Sequence, residues 1–123
     1  MATLLLIDDE TSVRQMLEMI FAGKHQCHTA SRAEQALEYL EVQKYDVVIT
    51  DVSMPGLGGV EVLRRINEQH TGTPVIVISG RPDQYQDRAF ELGAFAFFAK
   101  PFSLTEIENS VDRALAQPGQ SPD

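Results

Sequence analysis

Four short apolar runs in the sequence are each followed at once by a residue suited to metal or phosphate chemistry. Asp8 and Asp9 follow the first run, Asp51 the second, Ser79 the third and Lys100 the fourth. The runs cover residues 4–7, 47–50, 75–78 and 94–99. Continuous apolar runs of this length predict strands that are buried on both faces of a parallel sheet. Because ligands bind beyond the carboxyl ends of such strands, we expect one pocket that combines three carboxylates, a hydroxyl and an ammonium group.

Taken singly, these residues also have simpler explanations. The acids of Asp8-Asp9 repel each other unless a hard cation offsets the repulsion, but acids before a helix are also favoured by its dipole. Asp51 could cap the next helix, although that helix is predicted to begin several residues later. Ser79 precedes a glycine, as serines in turns do, and Lys100 could be an ordinary solvated surface charge. Together at strand ends, they favour magnesium-assisted acceptance of a phosphoryl group, with the Asp51 carboxylate as the nucleophile.

Stretches with helical periodicity separate the predicted strands. The four clearest apolar stripes begin at Val13, Ala33, Gly59 and Ile107, and each predicts a helix docked on the sheet. A weaker stripe predicts a short helix over residues 83–92. An edge strand is predicted over residues 26–30. The alternation of strands and helices predicts a parallel sheet with right-handed crossovers and helices on both faces.

Two of the predicted helices have a start signal in the sequence. Ser31 with Glu34, and Ser103 with Glu106, fit the capping box, in which a hydroxyl and a carboxylate satisfy free N–H groups of the first turn. We therefore expect both serines to cap the helices that follow them.

The composition indicates one soluble globular domain. The chain has 123 residues, of which 43% are hydrophobic and 23% charged, and it carries a formal charge of −8. This acidity argues against direct nucleic-acid binding, since phosphates would be repelled. There is no apolar run long enough for a membrane span and no signal-peptide pattern, and the one cysteine, Cys27, suits a reducing cytoplasm. We predict a domain over residues 1–117 and a flexible tail or linker stub over residues 118–123.

In their order along the chain, these residues resemble the receiver domain of two-component response regulators. The resemblance rests on Asp8-Asp9, Asp51 with Met54-Pro55, Ser79, and Lys100-Pro101-Phe102, and it spans about residues 2–117. It implies a flavodoxin-like, doubly wound α/β fold with a five-stranded parallel sheet of order 2-1-3-4-5 and five flanking helices. It also implies a cytoplasmic signalling switch rather than an enzyme, although one that assists its own phosphorylation and slow autodephosphorylation.

The resemblance assigns a role to each acid of the pocket. Asp51 would accept a phosphoryl group from a sensor histidine kinase or a histidine phosphotransfer protein. Asp9 and Asp51 would bind Mg²⁺ directly, Asp8 partly through water, and the backbone carbonyl of Ser53 would be a further ligand.

The resemblance also implies how the signal leaves the site. Ser79 and Lys100 would contact the phosphoryl group, and Phe97 would be the aromatic switch residue. The surface around the last two helices and the last strand would then change for an output domain, an effector protein or a second copy. Ser53 and Arg81 flank the path of the hydrolytic water in this family, so they would modulate the lifetime of the phosphoryl group. Phe97 departs from the common pattern in lacking a tyrosine hydroxyl.

Three other functions were weighed against this one. An aspartyl-phosphate hydrolase needs an acid where this chain has Ser53, and an FMN-binding module needs a phosphate loop where it has three acids. A receiver that signals without phosphorylation would not need the complete set of acids, hydroxyl and lysine. His25, Cys27 and His28 resemble metal ligands by type, but neighbours on a strand point to opposite faces and the spacing fits no zinc pattern.

Overall fold

In the computed structural model, which describes residues 1–53, 58–70 and 72–117, five strands alternate with five helices. The strands are β1 (Thr3–Ile7), β2 (Gln26–Ala30), β3 (Val47–Asp51), β4 (Val75–Ser79) and β5 (Ala96–Ala99). The helices are α1 (Thr11–Phe21), α2 (Ala33–Val42), α3 (Gly59–Gln69), α4 (Pro82–Glu91) and α5 (Leu104–Leu115). The predicted tail, residues 118–123, lies outside the described residues.

The strands form one parallel sheet of order β2-β1-β3-β4-β5, which confirms the predicted fold. Its three central strands are β1, β3 and β4, and the side chains of β3 and β4 are buried throughout. Because all five strands run parallel, their carboxyl ends lie at one edge of the sheet. None of the described helices is long and apolar enough to span a bilayer.

Alternate residues of the central strands build two hydrophobic cores, one on each face. Leu5 and Ile7 of β1 belong to the core that also contains the buried residues of α2, α3 and α4. Leu4 and Leu6 belong to the core shared with α1 and α5. Each fully buried leucine or isoleucine stabilises the fold by roughly 1.5–3 kcal/mol, so the two cores fix the sheet from both sides.

The edge strand β5 is shorter than the apolar run that predicted it. It begins at Ala96 rather than at residue 94. The side chains of residues 94 and 95 do not continue the alternation between the two faces of the sheet. Phe95 and Phe98 pack against the core of α1 and α5, whereas Phe97 packs against the core of α2, α3 and α4. All three rings remain half-buried, because an edge strand is covered less completely than a central one.

Of the two predicted capping boxes, the hydroxyl cap by Ser103 is confirmed and the cap by Ser31 is wrong. The Ser103 hydroxyl accepts a hydrogen bond from the Glu106 N–H at 3.2 Å, as predicted. Helix α2 instead has Arg32 at its N-cap, without a side-chain cap. Ser31 precedes the N-cap by one residue, and its N–H donates to the Gln35 side-chain oxygen at 3.1 Å.

Replacement of Ser103 with alanine should therefore destabilise the protein, whereas the same change at Ser31 should not. Loss of the Ser103 cap leaves an N–H group of α5 without its acceptor, which costs about 1 kcal/mol. Urea unfolding of Ser103→Ala and Ser31→Ala measures the difference. Equal losses of unfolding free energy in the two variants would contradict the assignment of the cap.

Candidate functional site

The sheet gathers the predicted site residues at its carboxyl edge. Asp8 directly follows β1, Asp51 and Ser79 are the last residues of β3 and β4, and Lys100 directly follows β5. The backbone joins the last two, because the Lys100 N–H donates to the Ser79 carbonyl at 2.8 Å. The Lys100–Pro101 peptide bond is cis. The predicted pocket of acids, hydroxyl and ammonium is thus assembled from four strands.

The Lys100 ammonium group lies among three carboxylates. Its Nζ atom is 2.8 Å from Asp51 Oδ2, 2.9 Å from Asp8 Oδ2 and 2.9 Å from Glu10 Oε1. The contacts with Asp51 and Glu10 are hydrogen bonds. The Glu10 side chain is 58% exposed, but that of Lys100 is 16% exposed, so its pairs with the buried Asp8 and Asp51 are largely withdrawn from water. Pairs of this kind are screened less by salt than surface pairs and hold the charged groups in a fixed arrangement.

Both oxygens of the Asp51 carboxylate have partners. Oδ2 accepts from Lys100, and Oδ1 accepts from the backbone N–H of Ser53 at 2.7 Å and from its hydroxyl at 2.9 Å. Asp51 is only 3% exposed. Its backbone is also fixed, because α3 begins so close that a Cβ at Gly59 would overlap the Asp51 carbonyl oxygen. Asp51 does not cap α3, whose N-cap is Gly58.

Asp8 is the most deeply buried acid of the site. It is fully shielded from solvent, and this burial raises the pKa of Asp8 to about 6, although the contacts with Lys100 and the Glu10 N–H oppose the rise. Its Oδ1 accepts from the Glu10 N–H at 2.9 Å, whereas Oδ2 has only the ion pair with Lys100, without hydrogen-bond geometry. Burial lowers the pKa of Lys100, but its bonds to Asp51, Asp8 and Glu10 outweigh burial and raise it.

The acids form a set of donors that suits a hard divalent cation. One carboxylate oxygen from each of Asp8, Asp9, Glu10 and Asp51 lies within 4.8 Å of the others. Mg²⁺ prefers oxygen ligands and keeps several waters, and the exposed Asp9 and Glu10 leave room for them. The buried Asp8 Oδ2 atom, which lacks a hydrogen bond, is a further sign that the site fits such an ion. The ligand roles of Asp8, Asp9, Asp51 and the Ser53 carbonyl stay predictions.

Ser79 and Phe97 lie on the same face of the sheet. Phe97 is paired with Val77 in the register of β4 and β5, and Ser79 is two residues further along β4. Ser79 is fully buried, and its hydroxyl accepts from the Arg81 N–H at 2.9 Å, which leaves its own proton free to donate. The side chain of Arg81 is exposed beside this turn. The switch and modulating roles of these residues stay predictions.

The sequence analysis missed two contacts of the site. Glu10 directly follows the acid pair Asp8-Asp9, but the sequence gives no prediction of its contact with Lys100, which lies 90 residues away. Arg14 was not singled out, yet its guanidinium donates to the Asp8 carbonyl at 2.6 Å and to the Thr11 hydroxyl at 3.1 Å. A basic residue one turn into the helix that follows three acids is the signal that could have indicated this contact.

Of the other predicted residues, one set lies outside the described part of the chain and the histidines stand apart from this site. Residues 54–57, including Met54 and Pro55 of the motif, lie outside the described residues. His25 accepts from the Ala2 N–H at 3.1 Å, and His28 is hydrogen bonded to the Tyr45 hydroxyl at 2.7 Å. Each histidine therefore has a structural partner of its own.

The raised pKa of Asp8 predicts how the stability of the metal-free protein depends on pH. Because the folded protein holds this proton more tightly than the unfolded chain, Asp8 contributes stability below about pH 4 that is lost as the pH rises through 6. Asp8→Asn removes that loss, so the variant should gain stability relative to the native protein between pH 4 and 7. Urea unfolding in a chelator at several pH values measures this gain. A constant difference between the two proteins would contradict it.

Comparisons with known proteins point to one family. A family model described as the response regulator receiver domain matches residues 4–112. The sporulation initiation phosphotransferase F of Bacillus subtilis is 33% identical over 115 residues, which are 91% of this chain and 92% of that protein. The DNA-binding transcriptional regulator NtrC of Klebsiella pneumoniae is 33% identical over 113 residues, which are 90% of this chain. They are 24% of that protein, so the chain spans about a quarter of its length.

A solved structure agrees with the sequence comparisons. The response regulator protein TrrA of Thermotoga maritima, in complex with Mg²⁺ and BeF, superposes with a TM-score of 0.85 at 28% identity. The match covers 94% of this chain and 100% of that one. The chain therefore belongs to the response regulator receiver domain family of two-component signalling systems.

Proposed function

We propose that the chain is a phosphorylation switch in which Asp51 accepts the phosphoryl group. Receiver domains are signalling domains of two-component systems, and the finer assignment rests on the surroundings of Asp51. The single observation that supports it most is that this buried carboxylate lies 2.8 Å from the Lys100 ammonium and within 4.8 Å of three other acids. A carboxylate in such a setting is a nucleophile for forming an acyl phosphate.

The transfer itself requires little covalent chemistry from the protein. An Asp51 carboxylate oxygen attacks the phosphorus of a phosphohistidine, the P–N bond breaks, and the ring nitrogen keeps the electron pair and takes up a proton. Lys100 neutralises negative charge on the arriving group, and the free hydroxyl proton of Ser79 is available to it as a donor. Mg²⁺ held by Asp8, Asp9, Asp51 and the Ser53 carbonyl would stabilise the phosphoryl oxygens. The Mg²⁺–BeF complex of the Thermotoga relative is consistent with this assignment.

The signal would leave the site along β5. Movement of Ser79 toward the phosphoryl group would vacate space for Phe97, which lies on the same face of the sheet. The surface formed by α4, β5 and α5 would then change. Helix α4 suits such a change because Ala89 is the one residue within it that is buried, so it is held weakly. Phe95, whose ring packs on the opposite face from Phe97, would take part through α5 rather than α4.

The partners follow from this role. A sensor histidine kinase or a histidine phosphotransfer protein would supply the phosphoryl group, and an output domain or effector protein, or a second copy in a homodimer, would respond to it. The net charge of −8 favours protein partners with basic surfaces over nucleic acid. Cys27, with its pKa raised by burial, is an unreactive thiol that suits the reducing cytoplasm.

Two residues would set the lifetime of the phosphoryl group. Ser53 contacts Asp51 through its hydroxyl, and Arg81 follows the Ser79 turn. Neither side chain carries a carboxylate that could activate water. This environment favours slow autodephosphorylation over the turnover of an aspartyl-phosphate hydrolase.

Treatment with a small phosphodonor and Mg²⁺ should add the mass of one phosphoryl group to the native protein. Asp51→Asn should abolish the addition, because an amide is not a nucleophile for this reaction. Asp87→Asn, which changes an exposed acid of α4 in the same way, should leave it intact. Intact-protein mass spectrometry measures all three, and full labelling of Asp51→Asn would sink the assignment of the acceptor.

A further inference from the structure

The Lys100 ammonium has a third partner that the proposed function does not use. Glu10 Oε1 accepts a hydrogen bond from Lys100 Nζ at 2.9 Å, beside the contacts with Asp8 and Asp51. An ammonium group has three protons and no acceptor. Two of these protons are hydrogen bonded, one to Asp51 and one to Glu10, and Asp8 lies 2.9 Å from Nζ as an ion pair. Glu10 therefore takes up one of the two hydrogen bonds that Lys100 donates.

The three carboxylates differ in their exposure to solvent. The side chains of Asp8 and Asp51 are 0% and 4% exposed, whereas that of Glu10 is 58% exposed. Glu10 thus covers Lys100 from the solvent side, where a phosphodonor has to enter. Because the Glu10 carboxylate is already largely solvated, breaking its bond to Lys100 costs little free energy. A buried acid left without a partner would cost much more.

We infer that Glu10 is a positioning residue that holds Lys100 over the acids in the unphosphorylated protein and releases it when the phosphoryl group arrives. The inference rests on the proposed function of Asp51. A phosphoryl oxygen on Asp51 becomes a new acceptor for Lys100, and of the three present partners Glu10 is the one that separates most easily. Glu10 therefore opposes phosphorylation by occupying Lys100.

Glu10 also lies near the acids that fit Mg²⁺, but a positioning residue and a metal ligand have opposite effects on the rate of phosphorylation. A ligand helps the reaction, so its loss weakens Mg²⁺ binding and slows phosphorylation. A residue that occupies Lys100 hinders the reaction, so its loss accelerates phosphorylation once Mg²⁺ is saturating. The two roles are therefore separable by one substitution.

The kinetic test compares Glu10→Gln with Glu38→Gln, an exposed glutamate of α2, which undergoes the same change in net charge. With a small phosphodonor and Mg²⁺ saturating for each variant, Glu10→Gln should be phosphorylated on the order of two- to fivefold faster than the native protein, the range for one partly exposed ion pair. Glu38→Gln should match the native rate. In a Lys100→Ala background, Glu10→Gln should give no acceleration, because the residue acts through Lys100.

A second measurement needs no phosphorylation, so it separates failure of this inference from failure of the proposed function. With ¹⁵N-labelled lysine in metal-free buffer, the Lys100 ammonium should give a signal protected from proton exchange. Glu10→Gln should weaken that protection and Glu38→Gln should preserve it. Slower phosphorylation of Glu10→Gln with weaker Mg²⁺ binding, or Lys100 protection that is the same in both variants, would overturn the inference.

Discussion

Repulsion between carboxylates at the carboxyl edge of the sheet is the constraint on which the site depends. Asp8 and Asp51 are both buried, with oxygens within 4.8 Å of each other. At an effective dielectric constant of about 20, that separation corresponds to repulsion on the order of 3 kcal/mol. Lys100 lies 2.8–2.9 Å from both acids and offsets much of this cost. A divalent cation would offset the rest, so the proposed binding of Mg²⁺ and of the phosphoryl group would both depend on how this charge is balanced.

The fold makes this arrangement possible by placing rigid strands beneath it. β1 and β3 are neighbours at the centre of the sheet, which puts Asp8 beside Asp51, and β5 at the edge brings Lys100 to them. Both faces of the central strands are packed, so these acids cannot move apart without disturbing a core. The less constrained elements, α4 and β5, lie on the side where a signal would leave. Packing is thus most complete under the acids and less complete in α4 and β5, where the proposed response would occur.

Much of the fold could be predicted from the sequence, because continuous apolar runs and helical stripes are local patterns. The predicted strand at Gln26–Ala30 matches β2, and α4 lies one residue from its predicted bounds. The sequence predictions were wrong where contacts in the folded chain, rather than local patterns, determine the structure. Ser31 lies one residue before the N-cap of α2, which is Arg32, and the strand predicted from residue 94 begins only at Ala96. The bond between Glu10 and Lys100 was likewise beyond the sequence, since only the folded chain brings residues 90 positions apart together.

The most direct test of this account is the thermal stability of the protein as a function of Mg²⁺ concentration, compared between the native chain and Asp9→Asn. If Mg²⁺ relieves the repulsion among the acids, it binds the folded state preferentially and the melting temperature rises, by the equivalent of about 2.7 kcal/mol when the free ion reaches 100 times its dissociation constant. Asp9→Asn should show a much smaller rise. The same response to Mg²⁺ in both proteins would contradict the account.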